Sequence, residues 1–170
     1  VLGELMDGIK SMIRKPYGCF EQVSSANYPN VLAMELMQET NTLDAKISKS
    51  AMSYMDIAYK KLTGYESAGG GFSLYGRSPG RVRLTAYGLM EFIDMKRVYS
   101  GVSQEMIDRS ARWLYQKRDK KGGWHGTYYN WEKYAATQNV YIVLALAMHG
   151  GHDISKELAQ AAAEAKESKD

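Results

Sequence analysis

The chain has 170 residues, 45% of them hydrophobic and 24% charged, enough to bury a core as one domain or as a piece of a larger one. A net charge of +3 with scattered basic residues argues against a nucleic-acid partner, and a single cysteine excludes an internal disulfide framework and a multi-cysteine metal site. The longest apolar run, Val140 to Met148, is nine residues, too short to span a bilayer. No cofactor is expected.

The first element in chain order is a local motif. Cys19 sits in Pro16-Tyr17-Gly18-Cys19-Phe20-Glu21-Gln22. A thiol three residues before a glutamine can close a small ring, Sγ to Cδ, with loss of ammonia. The product is an internal thioester, a stored acylating group. Where the segment enters a helix, the two side chains meet across one turn as i and i+3 neighbours, and Gly18 frees the backbone to make that entry. Taken alone, a lone cysteine reads as an inert buried side chain.

Helical periodicity dominates the rest of the chain. Leu43, Ile47, Ala51, Met55, Ala58 or Tyr59, and Leu62 step by three or four and predict one amphipathic helix. Glycines at 69–71 permit a reversal with positive φ, and Phe72 is expected to plug that loop into the core. Arg77, Arg81 and Arg83 flank a Gly/Pro loop and read as solvated. Residues 82–98 are apolar almost all round and predict a buried helix. Ile107, Ala111 and Leu114, with Trp113, predict an amphipathic helix over 103–118, whose end, Lys117, Arg118, Lys120 and Lys121, reads as a solvated basic cluster. Gly122, Gly123 and Trp124 repeat the loop, 135–149 predicts a second buried helix, and His149 and His152 suit a helix end. Asp153 is expected to cap a last, Ala-rich helix through Leu158 to Ala165.

Phe72 and Trp124 are fifty-two positions apart, as are Thr85 and Thr137. Each unit is helix, glycine-rich loop, aromatic anchor, helix. Alternating amphipathic and buried helices at this period predict an all-α chain of seven helices, arranged as a two-layer solenoid or ring of helical hairpins. The start, Val1-Leu2-Gly3, and the end, Lys166 to Asp170, resemble cut edges, so residues 1–170 are expected to be part of a domain within a larger multidomain protein.

The segment from Tyr17-Gly18-Cys19-Phe20-Glu21-Gln22 to Asn27-Tyr28-Pro29-Asn30 resembles the thioester region of the alpha-2-macroglobulin and complement family, and is most similar to its bacterial branch. Gly70-Gly71-Phe72-Ser73, Leu84-Thr85-Ala86-Tyr87, Trp113-Leu114 and Gly122-Gly123-Trp124 resemble the later loops and helices of those domains. The resemblance implies an α/α toroid of about six hairpins, of which this chain supplies about half. An apolar flank of the half ring would then lie exposed and favour oligomerisation.

The resemblance further implies that Cys19 and Gln22 are the thioester partners, and that Tyr17, Phe20 and Tyr28, with other domains of the parent protein, keep the bond dry. Glu21 has a supporting role, either bonding the loop backbone or favouring the helix N-terminus by its charge. Cleavage of a bait segment elsewhere would expose the bond; a lysine amine or a hydroxyl of the attacking protease would take the acyl group of Gln22 and release Cys19. This is a single-turnover covalent trap rather than an enzyme. His125 is the candidate for the histidine that assists acyl transfer in some relatives, although Trp124-His125-Gly126 matches the vertebrate segment poorly. An extracytoplasmic setting, bacterial periplasm or cell envelope, fits such a trap.

Two other readings remain. Trp113-Leu114-Tyr115-Gln116 with Gly122-Gly123-Trp124 is similar to the repeated tryptophan motif of terpene cyclases, which need clustered acids, whereas Asp94, Asp108 and Asp119 fall singly and are expected to face solvent. A toroid binding module without a thioester is the other.

Overall fold

The helical spacing of the apolar residues is matched by the backbone. Among the residues that the computed structural model describes, 2–77, 79–120, 122–124 and 131–167, there are seven α-helices and no strand. They are α1 (Leu2–Met12), α2 (Phe20–Glu39), α3 (Ala45–Thr63), α4 (Val82–Val98), α5 (Gln104–Gln116), α6 (Trp131–His149) and α7 (Ser155–Glu167). Side chains start the outer helices: Ile47 N–H donates to Asp44 Oδ1 at 2.8 Å and Met106 N–H to Ser103 Oγ at 3.3 Å, each satisfying an amide that the helix leaves orphaned. Asp153 serves α7 by accepting from Ser155 N–H at 3.0 Å.

Three hairpins form two layers. Helices α2, α4 and α6 stand in a row, with α3 packed on α2, α5 on α4 and α6, and α7 on α6, while α1 rests on α2. Burial follows this order. Helix α4, in the middle of the row, is buried nearly all round, whereas α3 and α5 each bury one stripe, Ile47-Ala51-Met55-Ala58-Leu62 and Met106-Ile107-Ser110-Ala111-Leu114. The arrangement is all-α and toroid-like.

The layers are pinned by aromatics. Phe72, from the loop after α3, lies 5.3 Å from Phe20 of α2 and 5.5 Å from Phe92 of α4, ring centre to ring centre. All three are fully buried, each contributing about 2–3 kcal/mol by removal from water. Gly88 makes room for the first of them: a Cβ there would fall 2.7 Å from Phe20 Cζ.

The fifty-two-residue repeat holds bond for bond in the loops. Ser67 N–H donates to Gly71 O and Gly70 N–H to Ser67 O; Asp119 N–H donates to Gly123 O and Gly122 N–H to Asp119 O. Gly70 and Gly122 share φ of +83° and +86°. The offset changes inside the next helix. Phe72 N–H donates to Thr85 Oγ1 at 2.8 Å, but Trp124 N–H donates to Asn139 Oδ1 at 3.1 Å, two residues beyond Thr137. The acceptor therefore sits two positions later in the second unit; Asn139, longer by one bond, does the work of Thr85.

Three further expectations are corrected. Leu43 is exposed, because it precedes the Asp44 cap and lies outside α3. Helix α6 is not buried all round: Val140 and Leu144 are exposed, since no further element covers that side among the described residues. The basic cluster after α5 is not wholly solvated. Arg118 lies over the Tyr115 ring and donates to Glu157 Oε1 at 2.7 Å, joining α5 to α7, and the carboxylate it meets is buried.

Candidate functional site

The segment before α2 is shaped by one glycine. Gly18 has φ +87°, and a Cβ on it would fall 2.1 Å from Gln22 Oε1 and 2.8 Å from Gln22 Cδ. Only glycine tolerates both the dihedral and the approach. The space it leaves is taken by the Gln22 side chain, which folds back so that Cys19 N–H donates to Gln22 Oε1 at 3.0 Å. Cys19 is the N-cap of α2 and Gln22 its third helical residue, in the reciprocal arrangement of a capping box.

Distant residues brace this turn. Tyr65 Oη donates to Gly18 O at 2.7 Å, and Phe20 N–H donates to Leu74 O at 2.9 Å. Both come from the loop after α3, so the first hairpin's loop holds the entrance of α2 from two sides. The Phe20 ring anchors the first turn of α2 in the core. Cys19 is a free thiol, 9% exposed.

The chemistry available is acyl chemistry. A carboxamide whose oxygen accepts a fixed N–H has its carbon polarised for attack, and the donor is aimed where negative charge develops. The N-terminus of a twenty-residue helix adds a positive partial charge that favours a developing oxyanion.

The other expected residues are distributed around this turn. Glu21 is exposed in the first turn of α2, where a negative charge suits the helix end. Tyr17 is 72% exposed. Phe20 is committed to the core, and Tyr28, nine residues along the helix from Cys19, donates to Asp94 Oδ2 at 2.5 Å. His125 lies outside the described residues. The three single acids do not simply face solvent: Asp94 is buried under Tyr28, Asp108 Oδ1 is 3.0 Å from His149 Nε2, and Asp119 accepts from Gly123 N–H at the second glycine loop.

Glu21 also edges an open cleft of about 710 Å³ on the faces of α2, α4 and α6, shared with Ser25, Arg83, Tyr87, Gln138 and Tyr141. Tyr87 and Tyr141, 6.5 Å apart, form its wall, and Tyr28 packs on Tyr87 at 5.8 Å. Burial, then the Asp94 hydrogen bond, raises the Tyr28 hydroxyl well above its usual value. Burial first and Glu91 next push Tyr87 and Tyr141 up to about 12.

Behind that wall lies a cluster which sequence reasoning missed. Glu91 of α4 is fully buried and accepts from Asn27 Nδ2 of α2 at 2.7 Å. Its second oxygen and Asn27 Oδ1 are buried without a protein partner, and the Ser24 hydroxyl lies beside the carboxylate. Burial pushes the Glu91 carboxyl up to about 7, against the opposing pull of the Asn27 amide. An acid inside a helix that is apolar almost all round was the available signal.

Residues 1–165 match the family model described as the A-macroglobulin TED domain.

Proposed function

The chain belongs to the A-macroglobulin TED family, the thioester-containing domains of the alpha-2-macroglobulin and complement proteins, and from that premise we propose that Cys19 and Gln22 form an internal thioester that captures a target covalently. The observation that carries the reading is the Gln22 carboxamide folded back onto Cys19 in space that Gly18 leaves open. Membership in this family also sets the terpene-cyclase reading aside.

In the first step Cys19 Sγ attacks Gln22 Cδ, the C–N bond breaks, and ammonia leaves with the thiol proton. In the second, an amine nitrogen or hydroxyl oxygen of the target attacks Cδ and the C–S bond breaks. The acceptor's proton passes to the Cys19 sulfur, leaving an amide or ester at Gln22. The group is consumed, so the protein acts once and does not turn over. Cys19 N–H, held on Oε1 throughout, stabilises the tetrahedral oxyanion of both steps. Glu21 supports the helix entrance, and Tyr17, exposed beside the loop, is positioned to shield the bond together with other domains of a parent protein. The targets are attacking proteases, and the setting is extracytoplasmic, a bacterial periplasm or envelope; none of the described helices is long and apolar enough to cross a membrane.

Intact-mass and peptide mass spectrometry test this reading. A closed thioester is lighter by one ammonia and takes up methylamine at Gln22, exposing a titratable Cys19 thiol. A bond that closed and then hydrolysed leaves glutamate at position 22. An encoded glutamine carboxamide, a free thiol and no methylamine uptake together would sink the covalent-capture reading, as would uptake that survives Cys19→Ala. Competing methylamine against glycerol reads acceptor choice, and direct amine attack predicts that methylamine wins.

A further inference from the structure

A second cleft, of about 570 Å³, is lined in part by the loop that braces Cys19. Its charged lining is all of one sign: Arg77, Arg81 and Lys117, with no acidic residue among the described lining residues. Val82, the first residue of α4, also borders it, so the N-terminal end of a seventeen-residue helix points its positive partial charge there. The Arg81 N-cap supplies no side-chain cap for the amides of that end.

A buried polar group also borders the cleft. Ser73 lines it, is only 5% exposed, and its Oγ has no partner in the protein. A buried hydroxyl without a partner is costly unless something supplies one. The remaining wall is apolar and rigid. Trp113 is fixed by donating Nε1–H to Gly69 O at 3.0 Å, and its ring lies so close to Gly70 and Gly71 that a Cβ on either would fall within 2.7 Å of it. Lys117 Nζ is held 5.2 Å from the centre of that ring, and Tyr75 stands exposed at the rim.

We propose that this cleft docks an acidic peptide segment of a partner protein or domain, with carboxylates on Arg77, Lys117 and the Ser73 hydroxyl and an apolar side chain against Trp113. Charge complementarity selects the occupant's sign. The volume, within the range of sites for drug-sized ligands, and the apolar wall select a segment of several residues over a lone phosphate or sulfate. Three cations without a continuing basic track do not suit a nucleic acid. The neighbouring Leu74 accepts from Phe20 N–H, so an occupant would sit on the loop that holds the Cys19 turn. The docking itself does not require a thioester, and its test is independent of that chemistry.

The test titrates the 170-residue chain by calorimetry with a short glutamate-rich peptide carrying a central phenylalanine, and in parallel with inorganic phosphate and a heparin fragment. The peptide should saturate at one site, weaken as salt is raised, and lose at least tenfold in affinity with Arg77→Glu and again with Lys117→Glu. Both side chains are exposed, so unchanged circular dichroism of these variants shows that the fold is kept. Ser73→Ala should weaken binding as well, without removing a charge. No saturation at millimolar peptide, affinity indifferent to the two charge reversals, or capture of heparin or phosphate in place of the peptide each overturns the proposal.

Discussion

Gly18 shows how much one residue decides. Gly18→Ala places a methyl group 2.1 Å from Gln22 Oε1 at a φ of +87°, where an L side chain costs about 1–2 kcal/mol. The expected result is a Tm lowered by about 2–4 °C per kcal/mol and complete loss of methylamine uptake at Gln22; uptake equal to that of the unchanged protein would show that the folded-back carboxamide is not the reacting form. Glu91 gives a second residue-scale prediction. Its carboxyl sits at about 7 in the fold against 4.5 for the free group, so between those values the folded state holds a proton that the unfolded chain has released. Stability therefore falls as pH rises from about 4.5 to about 7 and is level above, by roughly 3 kcal/mol at about 1.4 kcal/mol per pH unit. Glu91→Gln should flatten that slope and raise Tm at pH 8; a slope that persists in the variant assigns the pH dependence elsewhere. The Cys19–Gln22 pair was legible in sequence because both residues lie within one helical turn. Tyr65 and Leu74 were not, because their contacts with Gly18 and Phe20 span about fifty residues and rest on tertiary packing. Glu91 was hidden for a related reason: nothing in a one-dimensional pattern says that an acid on a buried helix meets Ser24 and Asn27 rather than solvent.

At the scale of elements, the helices were readable and their junctions only partly so. The buried stretch 82–98 coincides with α4 because its apolar residues leave only a narrow solvent face and Tyr99-Ser100-Gly101 ends it. Leu43 was misplaced because periodicity cannot see that Asp44, one residue later, takes the cap. The glycine loops repeated faithfully since positive φ at Gly70 and Gly122 is a local requirement, whereas the acceptor that receives each aromatic anchor's N–H is chosen by the next helix. Thr85→Val keeps the shape and removes the acceptor for the buried Phe72 N–H. It should cost about 1–3 kcal/mol in chemical denaturation, and Asn139→Leu should do the same at Trp124; a neutral result at both would mean the anchors are held by ring packing alone.

For the molecule as a whole, the row of α2, α4 and α6 has a side that no element covers among the described residues. Val140 and Leu144, one turn apart on α6, and Leu158 on the neighbouring α7 are 41%, 48% and 53% exposed, apolar side chains that nothing described covers. Association through these side chains remains a proposal, and it has a direct check. Leu144→Asp with Leu158→Lys should shift the protein to smaller species in sedimentation at concentrations where the unchanged chain associates. A chain that is already monomeric at high concentration would show that they do not form an interface between copies.

The brace across Gly18 and Phe20 has a consequence for biosynthesis. The turn that carries Cys19 leaves the ribosome before its brace, since Tyr65 and Leu74 follow Gly18 and Phe20 by 47 and 54 positions. At about 5–20 residues per second the thiol waits roughly 3–10 s on the nascent chain before its clamp has been made. On the proposed thioester reading, ring closure would await the first hairpin's loop, so that the electrophile is not armed on an unfinished polypeptide surrounded by the amines of the cell that makes it.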